Sequence, residues 1–362
     1  MSESKRVMIM AGGTGGHVFP ALAVAEALRT AGYELDWLGT GRGIENEVVP
    51  KAGIRLHHLS VRGVRGTGPL TKVMAPGRLA LALLQAVVVL RRSRPDAVLG
   101  MGGFASGPGG VAARLLGIPL VIHEQNAVCG TTNRWLAKIA TRVLCAFDGV
   151  FPPSIEATVV GNPLRAKLMT VKPPSERGTG AHEPLRLLVL GGSQGALAIN
   201  QMMPKALALL SEAQTLSVRH QAGREYAESA VVAYESAHVQ AEVLPFIDDM
   251  AEALSWADLV VARAGALTVS ELAAVGVGSI LVPFPFAIDD HQTRNADRLV
   301  AVHAARLVAQ FELTQDSLAA VLSQTLQPAN LRQMAAAAHS VGQRDATQKV
   351  TDVLVNLIEE RP

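Results

Sequence analysis

The run Gly12-Gly13-Thr14-Gly15-Gly16-His17 supplies two things that a transfer reaction on an anionic substrate needs. Small residues let a ligand approach the backbone, where successive N–H groups can face an anion. His17 is the first side chain of the run able to accept a proton, and the reference imidazole pKa of about 6.5 suits a general base. A turn that only packs a strand against a helix would look similar, so both readings stand at this point. Two more glycine-rich turns follow, Met101-Gly102-Gly103-Phe104-Ala105-Ser106-Gly107-Pro108 and Gly191-Gly192-Ser193-Gln194-Gly195-Ala196. In the latter, Ser193 brings a hydroxyl and its neighbours bring backbone amides. In Arg263-Ala264-Gly265-Ala266-Leu267-Thr268-Val269-Ser270-Glu271, small and hydroxyl residues open a helix. Glu271 there can favour the helix dipole or accept from two ribose hydroxyls. His123-Glu124-Gln125-Asn126 closes an apolar run with polar groups, which reads as a site rather than core, and Glu124 is the second candidate base. Asp289-Asp290-His291-Gln292 has the residue types of a metal site, but no second cluster has matching ligand spacing. It reads as a polar loop with Gln292 as a ligand contact, and neither metal nor cofactor is expected.

These residues need a scaffold that brings strand ends and helix starts together. Apolar runs at Val7–Met10, Tyr33–Leu38, Ala97–Gly100 and Leu120–His123 alternate with helical spacing, as over Pro20–Ala31, which predicts βα units and a parallel sheet. The scheme repeats with strands at Leu185–Leu190, Ser217–Gln221, Ala241–Leu244, Leu259–Ala262 and Ser279–Val282 and a helix over Ala198–Ser211. Val171–Pro184 reads as an exposed loop and Leu331–Arg361 as helix. The expectation is an α/β chain of two Rossmann-like domains, residues 1–163 and 164–339, facing across a cleft that takes a phosphate-bearing ligand. The helix near 340–362 is expected to pack back on the first domain. A chain of 362 residues with 49% hydrophobic content is long enough for two cores.

Composition excludes several classes. Two cysteines, Cys129 and Cys145, give no disulfide framework or cysteine zinc site. Gly13-Thr14-Gly15 lacks the last glycine of a dinucleotide fingerprint, because residue 18 is Val, and no Gly-Lys-Ser/Thr run marks a P-loop. Few aromatics and no Lys/Arg tract argue against nucleic acid as a partner. The opening residues carry no apolar leader, so the cytoplasm is expected, and no run of 18 uncharged apolar residues spans a bilayer. Charge is uneven: residues 1–163 hold 17 Lys/Arg against 10 Asp/Glu, and the rest hold 16 against 21. A basic first half favours an anionic partner or surface. Leu79–Leu90, with Lys72 and Arg78 before it and Arg91, Arg92 and Arg94 after it, reads as a buried helix or as one that touches anionic lipid.

Taken together, Gly-Gly-Thr-Gly-Gly-His-Val-Phe-Pro, His-Glu-Gln-Asn, Gly-Asn-Pro-Leu-Arg, Gly-Gly-Ser-Gln-Gly-Ala and Ala-Leu-Thr-Val-Ser-Glu resemble the MurG family of bacterial cell-wall glycosyltransferases, glycosyltransferase family 28. The resemblance covers nearly the whole chain. It implies a GT-B fold and an inverting, metal-independent transfer of N-acetylglucosamine from UDP-N-acetylglucosamine to the C4 hydroxyl of the lipid-linked muramyl-pentapeptide, at the cytoplasmic face of the inner membrane. It also implies donor contacts by Thr14, Gly15, Gly16, Asn126, Arg165, Ser193, Ile247, Ala266, Leu267, Thr268, Val269, Ser270, Glu271 and Gln292. Gly278 departs from the family's usual Pro, which is expected to loosen the turn before Ser279–Val282. Two rivals remain open on sequence alone: a UDP-N-acetylglucosamine 2-epimerase and a non-catalytic nucleotide-sugar sensor.

Overall fold

The computed structural model describes residues 5–60, 69–192, 196–210 and 215–360, the side chains of 69–75 and 288 aside. The chain forms two compact units, Met1–Arg165 with Arg344–Pro362, and Ala166–Gln343.

In the first unit the strands are β1 Arg6–Met10, β2 Glu34–Thr40, β3 Arg55–Leu59, β4 Ala97–Gly100, β5 Leu120–Glu124, β6 Arg142–Cys145 and β7 Ala157–Val159. Helices α1 Gly15–Thr30, α2 Glu45–Lys51, α3 Pro69–Ser93, α4 Ser106–Leu115 and α5 Thr131–Leu136 connect them. All strands are parallel, in the order β3-β2-β1-β4-β5-β6-β7. Order reverses between β1 and β4, and ligands of open α/β sheets gather beyond the strand ends at such a point. Val7 to Met10 are fully buried because helices cover both sheet faces. Helix α1 begins at Gly15 rather than Pro20, so His17 lies in its first turn. It stops where Tyr33 N–H bonds to the Leu28 carbonyl and Gly32 adopts φ +90.

The second unit holds β8 Leu185–Leu190, β9 Leu216–Gln221, β10 Glu242–Leu244, β11 Leu259–Ala262, β12 Gly278–Leu281 and β13 Ala305–Leu307. Its helices are α6 Ala166–Met169, α7 Leu197–Ala208, α8 Ala227–Ser236, α9 Met250–Trp256, α10 Ala266–Val275, α11 His291–Val300, α12 Gln315–Thr325 and α13 Pro328–Val341. This sheet is also parallel, in the order β10-β9-β8-β11-β12-β13, with its switch point between β8 and β11.

Three expectations change. The C-terminal segment is not one helix: α13 ends at Gly342, and α14 Ala346–Glu359 belongs to the first unit. There Val350, Leu354 and Ile358 pack with Val18, Ala21 and Leu28 of α1. Residues 171–184 are not simply exposed: Arg177 donates to the carbonyls of Leu254, Val275 and Gly276 at two helix C-termini, and Gly180 N–H donates to buried Asp258 at 2.8 Å. Gly278 does not loosen a turn. It is the first residue of β12, where a Cβ would stand 2.8 Å from Met334 Cβ, so glycine lets α13 approach the strand closely.

Candidate active site

At the first unit's switch point the two glycine turns meet. A Cβ on Gly103 would lie 2.5 Å from the Gly12 carbonyl oxygen, so the turn after β4 packs directly on the turn after β1. Gly102 has φ +98, and a Cβ there would stand 2.7 Å from His17 Cδ2. Any larger residue would both strain the backbone and evict the imidazole. Thr14 precedes the helix in extended conformation, and the amides of Gly15 and Gly16 open its first turn, where no carbonyl lies one turn back to accept them. The Arg165 guanidinium lies 5.2 Å from the ring centre of Phe19, whose edge also borders Gly15. Thr14, Gly15, Gly16, His17 and Arg165 thus share the opening of α1.

The polar segment at the end of β5 is mostly interior, contrary to its reading as a site rather than core. His123, Glu124 and Gln125 are all buried, and Asn126 is half-buried. The reason is a closed set of partners. His123 Nε2 donates to the Gly161 carbonyl at 2.8 Å, which leaves Nδ1 to accept from Gln125 Nε2 at 3.3 Å. Asn162 Nδ2 donates to the Gln125 carbonyl, so Gly161-Asn162 clamps the segment from behind. Glu124 accepts from Asn126 N, Asn126 Nδ2, Gly130 N and Asn133 Nδ2, at 3.0, 3.2, 3.1 and 2.9 Å. Both of its oxygens hold the loop that presents Asn126. Burial pushes the Cys129 thiol up to about 12 and the Cys145 thiol up to about 11, with Glu124 adding to both, so these are protonated core groups at neutral pH.

In the second unit, α10 starts at the end of β11. Ala266, Val269 and Glu271 are buried, while Leu267, Thr268 and Ser270 are half-buried. Asn295 Nδ2 donates to the Ala264 carbonyl at 3.2 Å and fixes the approach to that helix. Arg263 donates to the carbonyls of Val282 and Pro283 and to Gln310 Oε1 and lies 5.5 Å over Phe284; burial lowers its pKa. Gln292 Oε1 accepts from Phe284 N–H at 2.9 Å, which turns the amide nitrogen into its remaining contact group. Ile247 is buried beyond β10, next to Phe246 under the Arg224 guanidinium. Ser193, Gln194 and Gly195 lie outside the described residues.

Sequence models of the two halves of one enzyme family match this chain: the glycosyltransferase family 28 N-terminal domain over residues 7–145 and its C-terminal domain over residues 186–350. The chain belongs to glycosyltransferase family 28. It is 55% identical, over 97% of its length and 98% of the relative, to the UDP-N-acetylglucosamine–N-acetylmuramyl-(pentapeptide) pyrophosphoryl-undecaprenol N-acetylglucosamine transferase of Cellvibrio japonicus. An enzyme of the same name from Alkalilimnicola ehrlichii is also 55% identical, over 96% of this chain and 97% of its own. The crystal structure of Acinetobacter baumannii MurG superposes with a TM-score of 0.84 at 41% identity, covering 97% of this chain and 99% of that one. The two parallel-sheet α/β units are those of the GT-B fold.

Within this family-28 chain, two buried polar groups behind the glycine turns escape a reading of the sequence. One is Glu45, at the start of α2. The other is a relay behind Gly191: Asn200 Nδ2 donates to the Ala222 carbonyl at 2.9 Å, so its Oδ1 accepts from His220 Nε2 at 3.0 Å, and His220 Nδ1 accepts from the Tyr234 hydroxyl at 3.0 Å. A Cβ on Gly191 would lie 3.3 Å from Asn200 Oδ1. Burial lowers the His220 pKa to about 4, and burial, opposed by the Gly161 bond and Glu124, lowers His123 to about 4. Both imidazoles are neutral in the native state at neutral pH, whereas unfolded histidine protonates near about 6.5. As pH falls from 6.5 towards 4 the unfolded chain gains protons that the folded chain does not, so stability present above that window drains away within it. Each histidine withdraws up to about 3 kcal/mol by pH 4. The melting temperature is therefore expected to fall already between pH 6.5 and 5, above the carboxylate range. A flat melting temperature there contradicts the neutral-histidine assignment.

Proposed function

We propose that this chain transfers N-acetylglucosamine from UDP-N-acetylglucosamine to the C4 hydroxyl of undecaprenyl-pyrophosphoryl-N-acetylmuramyl-pentapeptide, with inversion, releasing UDP. The carrying observation is that both halves belong to family 28 and each sets a glycine turn and helix start at its own switch point. In this reading the second unit, residues 166–343, is the donor domain. The Ile247 backbone meets the uracil edge, Glu271 accepts from the ribose hydroxyls, and Ala266, Leu267, Thr268, Val269 and Ser270 surround the diphosphate at the α10 N-terminus, where amides and dipole favour negative charge. Ser193 and Arg165 add donors to the leaving diphosphate. Asn126, Gln292 and the Thr14, Gly15 and Gly16 turn complete the donor contacts.

One displacement at the anomeric carbon makes the acceptor O–C1 bond and breaks the C1–O bond to UDP, and the acceptor hydroxyl loses its proton. His17 takes that proton. Glu124 is the less suited base, since four N–H donors already occupy its oxygens. The test is UDP release with donor alone, then with lipid-linked acceptor. The expected result is release only with acceptor present and a disaccharide product. Formation of the manno sugar from donor alone indicates an epimerase, and no release in either mixture indicates a binding protein.

The first unit is proposed to hold the acceptor and to rest on anionic lipid at the cytoplasmic membrane face. No helix among the described residues is long and apolar enough to cross a membrane. Helix α3 instead carries an outward apolar stripe. Ala82, Ala86 and Leu90 face the core, whereas Leu81, Leu84 and Val88 are 49%, 64% and 46% exposed, and Arg91 and Arg92 continue the stripe as exposed cations. Leu79 is exposed as well, whereas Leu83 packs against the core. Leu115 of α4 and Trp135 of α5, the latter under Lys138 at 4.7 Å, are exposed as well. Each cation near an anionic surface is worth about 1 kcal/mol. Reversing Arg91 and Arg92 to Glu is therefore expected to weaken binding to anionic vesicles by tenfold or more, roughly, and unchanged sedimentation with vesicles contradicts this surface.

A further inference from the structure

We infer that Glu45 is a positioning residue for the transfer reaction, fixing from behind the turn that carries the Thr14, Gly15 and Gly16 amides and His17. The inference rests on the site proposed above. Glu45 is fully buried. Its Oε2 accepts from Gly13 N–H at 2.9 Å and its Oε1 accepts from Thr40 N–H at 3.2 Å; the Thr40 hydroxyl lies 2.9 Å from Oε1 and 2.6 Å from the Arg42 carbonyl, and its one hydrogen serves one of the two. Ile44 N–H adds a second strap to the Gly13 carbonyl at 3.4 Å. The space around the carboxyl is shaped for it by glycines from three segments. A Cβ on Gly12 would stand 2.6 Å from Oε1, one on Gly39 3.0 Å from Cγ, and one on Gly43 would overlap Oε2.

Burying a carboxyl is costly unless donors surround it, and bonds to a charged acceptor are stronger than neutral ones, so this arrangement makes the turn stiff. Two consequences follow for the site. The Gly13 amide is directed inward to Glu45, which leaves contact with the sugar end of the donor to the amides of residues 14–16. The His17 and Val18 amides both donate to the Thr14 carbonyl at 3.2 Å, so the placement of residues 13 and 14 sets that of His17. Glutamine cannot substitute fully, because both carboxyl oxygens face N–H donors and its NH₂ would oppose one of them.

The experiment uses the full chain with Glu45→Gln and measures kcat at saturating UDP-N-acetylglucosamine and lipid-linked acceptor, UDP affinity by calorimetry, and the melting temperature. A displacement of about 1 Å at a catalytic group costs about 10²-fold, so kcat is expected to fall about 10- to 100-fold while UDP affinity changes less than about twofold. Because the two residues act through one turn, Glu45→Gln added to His17→Ala should cost far less than in the parent chain. Unchanged kcat, or kcat and UDP affinity falling in parallel, overturns the inference. Failure of the base assignment shows separately, as normal turnover by His17→Ala alone; a kcat loss in Glu45→Gln then still supports positioning, through the amides of residues 14–16. Should Glu45→Gln not fold, Glu45→Asp keeps the carboxyl but draws it back from the Gly13 and Thr40 amides; a several-fold loss of kcat supports the inference, and unchanged kcat overturns it.

Discussion

His17→Ala is expected to lower turnover by about 10²–10⁴ at saturating donor and acceptor, the usual worth of a positioned base. The structure gives this side chain a fixed seat. Its ring lies on the Gly102 backbone, in the first turn of α1, beside the Thr14–Gly16 amides. In the proposed reaction the imidazole therefore needs no reorganisation before it takes a proton from a hydroxyl placed against those amides. The measurement is steady-state UDP release, with the pH profile recorded in parallel. Loss of the acid limb of kcat together with the drop in turnover identifies a proton acceptor. Near-normal turnover at saturating acceptor removes His17 from that role and leaves it as packing for the glycine turns.

Arg165→Ala is expected to cost about 10²–10³ in turnover, the range for removing one preorganised donor to a developing negative charge. Arg165 is half-buried and stacked over Phe19, which sits on α1 just beyond the glycine turn. The adjacent backbone is itself pinned: Leu164 N–H donates to Thr347 Oγ1 at 3.0 Å, and Thr347 Oγ1 donates back to the Leu164 carbonyl at 2.9 Å. In the proposed reaction a cation held this way stabilises the departing diphosphate without first being ordered. Arg165→Lys keeps the charge but loses the guanidinium over the Phe19 ring and the forked donors, so it should recover only part of the loss. Turnover by Arg165→Ala within about threefold of the parent contradicts the role, since even one net hydrogen bond to a charged group exceeds that.

The strands that carry the switch points were readable because they are buried on both faces and so are apolar without alternation, as in Val7–Met10 and Leu187–Leu190. The glycine turns were readable because close backbone approach admits few other residues. What the sequence hid lies in long-range pairing. Glu45 looks like an ordinary helix-opening acid until Gly13 and Thr40 are brought to it. Three of the four residues in His123-Glu124-Gln125-Asn126 are interior because their partners, Gly161 and Asn133 among them, come from elsewhere in the chain. The helical period of α3 was visible, but which of its leucines point outward depends on the sheet and α4 beneath it. Helix α2 is seven residues long and contains Pro50, too short a signal for periodicity to catch. The break between α13 and α14 falls at Gly342, which lies against the Ala273 carbonyl, and a run of good helix formers on either side conceals it.

The strand ends of residues 166–343 are proposed to hold a sugar nucleotide by its uridine and diphosphate, and a crystal structure of the full chain with UDP-N-acetylglucosamine shows whether they do. The expected result is the uracil edge at the Ile247 backbone, the ribose hydroxyls on Glu271 and the diphosphate at the N-terminus of α10. A nucleotide bound away from β11 and α10, with Glu271 making no contact to it, rules out this donor site.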